Sequence, residues 1–141
     1  MSRTRTWEEK LDHPEHAVVK PLDQRFAGHS PGELMLISTP RDIDRRIRRL
    51  RKGTAITVAE LRDRLAASAK ADFTCPLSTG IFLRIVAEAA LANHGDGAPI
   101  ETITPFWRVI EPESALASKL SCGPQFITKM RNAEHRSARA S

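Results

Sequence analysis

Thr57-Val58-Ala59-Glu60-Leu61, followed by Pro76-Leu77-Ser78-Thr79-Gly80-Ile81-Phe82-Leu83-Arg84, is the stretch on which the fold class of this 141-residue chain turns. A hydroxyl followed three residues later by a carboxylate is the capping-box signature of a helix start. Thr57 and Glu60 therefore predict a helix running through Leu61 and Leu65. A second helix is predicted from Pro76, since proline's missing N–H costs nothing at the first helical position. It carries Ile81, Phe82, Ile85, Val86, Ala89 and Ala90 at three- and four-residue spacing as far as the Asn93-His94-Gly95 stop. Two short helices joined by a connection, the second apolar on one side, read as a helix-turn-helix. The predicted architecture is mainly α with a small β element, a winged helix-turn-helix domain.

Working outward, Thr39-Pro40-Arg41-Asp42 repeats the capping pattern, and its helix is expected to end at Gly53. Ile43, Ile47 and Leu50 share one face of it, while Arg41, Arg45, Arg48, Arg49 and Lys52 spread over the others, as on a surface helix buried along one stripe. Upstream, Gly32 to Ser38 is the best strand candidate, and the residues from Pro14 to Pro31 read as loop. Thr6-Trp7-Glu8-Glu9 opens a short helix that Pro14 ends. Downstream, Ile100 to Ile110 is extended by composition, and Gly123-Pro124 starts a last helix towards Glu134. The expected organisation is an extension over residues 1–32, one domain over 33–136 and a basic tail over 137–141.

The formal charge of +5 and pI of about 9.8 are unevenly placed, heaviest from Arg41 to Lys52 and from Lys129 to Arg139. Such asymmetry favours a polyanionic partner. No apolar run approaches the roughly 20 residues that span a bilayer, and Met1-Ser2-Arg3-Thr4-Arg5 leads into no apolar signal core. A soluble, cytoplasmic monomer away from membranes is expected. Cys75 and Cys122 form neither a metal-ligand cluster nor a disulfide framework, in keeping with a reducing compartment. Both read as small packing residues. Asp12-His13-Pro14-Glu15-His16 has metal-type side chains, but Pro14 breaks the helix that would align the imidazoles. No metal or cofactor is expected.

Thr104-Pro105-Phe106-Trp107-Arg108-Val109-Ile110 resembles the Pro-Cys-His-Arg-Val active-site segment of the O6-alkylguanine-DNA alkyltransferases, with Phe106 where the nucleophilic cysteine stands. Gly53 to Leu61 is similar to the glycine that leads into that family's DNA-binding helices. Ala98 to Pro105 resembles the Asn-Pro segment before the cysteine, and Leu120-Ser121-Cys122-Gly123 its substrate loop. Glu134 falls where the closing glutamate sits. The similarity covers roughly Leu34 to His135, and Thr-Pro-aromatic-Trp-Arg resembles an alkyltransferase-like branch that has lost the cysteine more than it resembles the repair enzymes.

Alkyl transfer needs a thiolate and a base to generate it. A phenyl ring and the indole of Trp107 supply neither, so the resemblance implies recognition without chemistry. The implied function is a non-enzymatic protein that binds duplex DNA, recognises O6-alkylguanine or other damaged bases, and presents them to excision-repair proteins. The alternative is a winged-helix DNA-binding or protein-interaction module whose pocket is filled by its own side chains.

The implied base pocket comprises Phe106, Trp107, Arg108, Leu120, Ser121 and Glu134. The expected DNA contacts are Arg41, Arg45, Arg48, Arg49, Thr57, Ser78, Thr79 and Arg84. Two readings stand for Glu134, an acceptor for the Trp107 indole or a capped or solvated helix-end carboxylate. Three stand for Arg84, an intercalating finger, a phosphate contact or a surface charge, because Ile85 to Ala92 lengthens the helix by about two turns relative to the family. Val58 and Ala98 replace the family's phosphate-contacting tyrosine and its asparagine hinge.

Overall fold

The computed structural model describes residues 5–140, with side chains to Ser137. The chain is mainly helical with one small sheet. In order come α1 (Trp7–Lys10), β1 (Val18–Pro21), β2 (Leu34–Ile37), α2 (Pro40–Arg48), α3 (Val58–Ala69), β3 (Phe73–Thr74), α4 (Pro76–Gly95), two 3-10 turns (Ile100–Thr102 and Phe106–Arg108), α5 (Ala115–Lys119) and α6 (Gly123–Ala140). The hydroxyls of Thr6, Thr39 and Thr57 each accept the N–H three residues on, so all three capping signals in the sequence mark real helix starts.

β2 is the central strand, antiparallel to β1 with Val19 opposite Leu36, and parallel to β3 with Met35 opposite Phe73. Alternation along β2 divides its side chains between two cores. Leu36 enters the main core, and Met35 joins Phe73 and Cys75 in a smaller one. The main core is built on Ile43 and Ile47 of α2, Leu61 of α3, Leu83 and Val86 of α4, and Phe106, Val109, Ile110 and Ile127. Each fully buried aliphatic side chain there contributes about 1.5–3 kcal/mol. α4 lies against α2 and α1, while α3 packs chiefly on β3.

Three expectations are corrected. The stretch from Pro14 to Pro31 is not all loop, since β1 lies within it, and Leu11 just before it is a core residue. β1 escaped the sequence reading because all four of its residues are exposed, leaving no apolar alternation. α2 ends at Arg48 rather than Gly53: Arg49 and Leu50 donate to Arg46 and Ile47, tightening the last turn, and the chain then turns through Gly53 at φ +87°. Ile100 to Ile110 is not extended. The N–H groups of Thr102 and Arg108 bond back to the carbonyls of Pro99 and Pro105, so two local turns replace strand pairing despite the β-branched composition. α6 runs on from Glu134 to Ala140, through most of the stretch read as a basic tail.

Candidate nucleic-acid interface

From Arg41 to Lys52 the chain carries seven cations against two carboxylates, a local excess equal to the whole chain's +5. The buried stripe of Ile43 and Ile47 fixes α2 on the core and turns the charged positions outward. Three of its arginines meet carboxylates: Arg41 Nε with Asp12 at 2.9 Å, Arg45 with Asp42 at 2.5 Å, and Arg48 Nε with Asp44 at 3.2 Å. Arg48 also donates to the Thr102 carbonyl at 3.1 Å. The pairs of Arg41 and Arg45 are exposed and hold their partners loosely, whereas Asp44 is 13% exposed and also accepts from Thr104 Oγ1. Arg49, Arg51 and Lys52 are exposed and make no ion pair among the described residues.

The remaining expected contacts lie elsewhere. Thr57 is spent on capping α3, accepting from Glu60 N at 3.0 Å. Ser78 and Thr79 both donate to the Cys75 carbonyl, and Thr79 is only 1% exposed, so its hydroxyl belongs to the start of α4 and not to its surface. Arg84 is half-buried with its guanidinium 5.7 Å from the centre of the Trp7 ring, and its Nε is buried without a partner among the described residues. α1 thus lies over the side chain read as a candidate finger. Leu77 and Ile81, one turn apart on α4, are exposed.

The residues implied for a base pocket divide into three environments. Phe106 is fully buried and Trp107 is 3% exposed. Their rings meet edge-on at 5.3 Å, and Phe126 stacks on Phe106 at 5.9 Å. Leu120 is a core residue. Ser121 faces the other way, its Oγ donating to buried Glu88 at 2.6 Å.

Trp107, Arg108 and Glu134 do come together. The indole Nε1 donates to Glu134 Oε1 at 2.9 Å, so of the two readings of Glu134 the structure selects the indole acceptor. Arg108 donates to the same carboxylate through its terminal nitrogen at 2.7 Å and through Nε at 3.1 Å. Gly53 N donates to Oε2 at 3.1 Å, and a second Arg108 nitrogen reaches the Leu50 carbonyl at 2.7 Å. Arg131 secures the same turn from α6, donating to the Trp107 carbonyl at 2.6 Å. Sequence reasoning missed the roles of Gly53 and Arg131, since backbone partners leave no residue-type signal.

Burial alone would raise the Glu134 carboxyl. The hydrogen bonds from Arg108, Trp107 and Gly53 outweigh it and hold the group below its ordinary value. Glu134 is an ionised clasp joining α6 to the turns at 50–53 and 106–108. The direct hydrogen bond between Trp107 and Glu134 leaves no base-sized gap between them. Beside them a cleft of about 420 Å³ opens, lined in part by Lys52, Ile100, Pro105 and Met130.

Burial pushes the Cys122 thiol up, and Glu88 adds to the rise, so its thiolate is disfavoured. Cys75 is buried at the start of α4. Among the described residues no three His, Cys, Asp or Glu side chains converge as metal ligands, and no helix is long and apolar enough to cross a membrane. No known protein family, curated protein or solved structure matches this chain. The resemblance to the alkyltransferases therefore rests on the residues quoted for it.

Proposed function

We propose that this chain binds duplex DNA without covalent chemistry, through phosphate contacts made by the basic surface of α2 and the turn after it. α3 and α4 are the helix-turn-helix of this reading. The observation that carries it is the concentration of seven cations in residues 41–52, with Arg49, Arg51 and Lys52 exposed and unpaired among the described residues. Cations so placed displace counterions from a duplex, which supplies affinity independent of sequence.

The absence of alkyl transfer follows from the side chains at the expected reaction centre. Phe106 has no nucleophilic atom, and Trp107 is occupied as a donor to Glu134. Retention of an extruded base between these residues is disfavoured by their direct contact. Lesion recognition, the second reading, is favoured by one observation, the cleft beside Trp107 and Glu134. It requires the base to lie there and α1 to release Arg84.

Anisotropy with a labelled undamaged duplex at low salt tests the proposal. Charge reversal at Arg45 and Arg49 is expected to weaken binding to unrelated sequences alike. Undiminished binding by the double variant would refute the α2 interface. Tighter binding of O6-methylguanine duplex, abolished by Trp107→Ala, would establish the second reading.

A further inference from the structure

A cup of about 250 Å³ opens where the end of β2 meets α2 and α3. Arg45, Arg46 and Arg49 line it, with Ser38 from the end of β2, Ser68 from α3, and Asp42. Asp42 is its one carboxylate among the described residues and pairs with Arg45 at 2.5 Å. Arg46 donates to the Ser68 hydroxyl, and the Arg49 side chain makes no hydrogen bond or ion pair among the described residues. Three cations facing one carboxylate leave the cup positive. Each guanidinium carries five donors in a planar fork, so most of its hydrogen-bonding capacity is unspent.

Ser38 adds an independent observation. It is 1% exposed, it lines the cup, and its hydroxyl has no hydrogen-bond partner among the described residues. Burying a hydroxyl unpaired is unfavourable, and most buried polar groups in native proteins are satisfied. Cations in the last turn of a helix also complement its dipole. That need does not explain an unpartnered hydroxyl on a residue that lines the same cup.

We infer that the cup is an oxyanion site for one phosphate group, with Arg46 and Arg49 forking onto its oxygens and the Ser38 hydroxyl donating to the innermost one. Guanidinium suits this ligand better than ammonium because its parallel N–H groups match a pair of phosphate oxygens. The inference does not require DNA binding. A small phosphate monoester and a phosphate of a DNA strand present the same chemistry, and the test separates them.

Inorganic phosphate is titrated calorimetrically into wild type, Arg49→Gln and Ser38→Ala at constant ionic strength set with chloride. Wild type is expected to bind saturably, and Arg49→Gln to bind at least about tenfold more weakly, since loss of even one charge-assisted hydrogen bond has that effect and the fork makes two. Ser38→Ala is expected to weaken phosphate binding while raising the thermal midpoint without phosphate, since it removes an unsatisfied donor. A general salt effect does not produce that pair of changes. No saturable binding by wild type, or equal binding by all three proteins, overturns the inference.

The second arm adds labelled duplex. Displacement of the duplex by phosphate, with Arg49→Gln weakening both, assigns the cup to a DNA phosphate. Undisturbed duplex binding at saturating phosphate assigns it to a free phosphate compound. Phosphate binding in a protein that binds no DNA keeps the site and refutes only the DNA proposal.

Discussion

Glu134→Gln isolates what the buried clasp contributes. The substitution keeps the shape and removes the charge. One amide oxygen can still accept from Trp107 or Arg108, but the amide nitrogen then sets a donor against the N–H of Gly53 or the Arg108 fork, all of which now bond to the carboxylate. Breaking one side of a buried ion pair costs about 3–5 kcal/mol. Arg108 keeps its bond to the Leu50 carbonyl and its side chain is 13% exposed, which places the cost at the lower end, about 3 kcal/mol. At about 2–4 °C per kcal/mol for a chain somewhat larger than this one, the melting midpoint should fall by roughly 6–12 °C. Urea or thermal unfolding at neutral pH reads this directly. A loss below about 1 kcal/mol, the size of an exposed pair, would refute the claim that Glu134 joins α6 to the two turns.

The same group fixes a pH dependence. Its native carboxyl lies below its unfolded value of about 4.3, so its stabilisation is complete above that pH and is lost as pH falls through the lowered native value. Wild type should therefore lose its advantage over Glu134→Gln in acid, and a constant difference between the two down to full protonation would contradict the shift. Intact-mass measurement after incubation with O6-methylguanine duplex should show no change, whereas one added methyl on Cys75 or Cys122 would establish a transfer reaction. Thr57→Ala should cost about 1 kcal/mol as a lost cap while leaving the salt dependence of DNA binding unaltered. A changed salt slope without loss of stability would return Thr57 to the interface.

Helix starts were the most legible part of this sequence, because a threonine hydroxyl and a residue three places on form a local code that tertiary packing did not override at Thr6, Thr39 or Thr57. Ser114 carries the same kind of signal for α5, accepting from Ala117 N, but a helix of five residues offers too little apolar periodicity to draw attention. Ile100 to Ile110 was misread because Ile and Thr favour strands only where a neighbouring strand is available, and Pro99 and Pro105 supply local acceptors instead. At the candidate site, the resemblance named Trp107, Arg108 and Glu134, and hydrogen bonds join the three in the structure. The sequence did not show that Ser121 turns to Glu88, that Thr79 is buried, or that Trp7 lies against Arg84, since each depends on how distant elements dock. The phosphate cup was illegible for the same reason: Ser38 and Ser68 are 30 positions apart and meet only through α2 and α3.

The most direct test of noncovalent, phosphate-dominated binding is the affinity of the full chain for matched duplexes with and without one O6-methylguanine, measured across a salt series. The expected result is nearly equal affinity for the two duplexes, falling linearly on a log–log plot with a slope of about −0.9 per phosphate contacted. Charge reversal at Arg49 should make that slope shallower by about one contact or more. Absence of binding to either duplex at the lowest salt would contradict the proposed function outright.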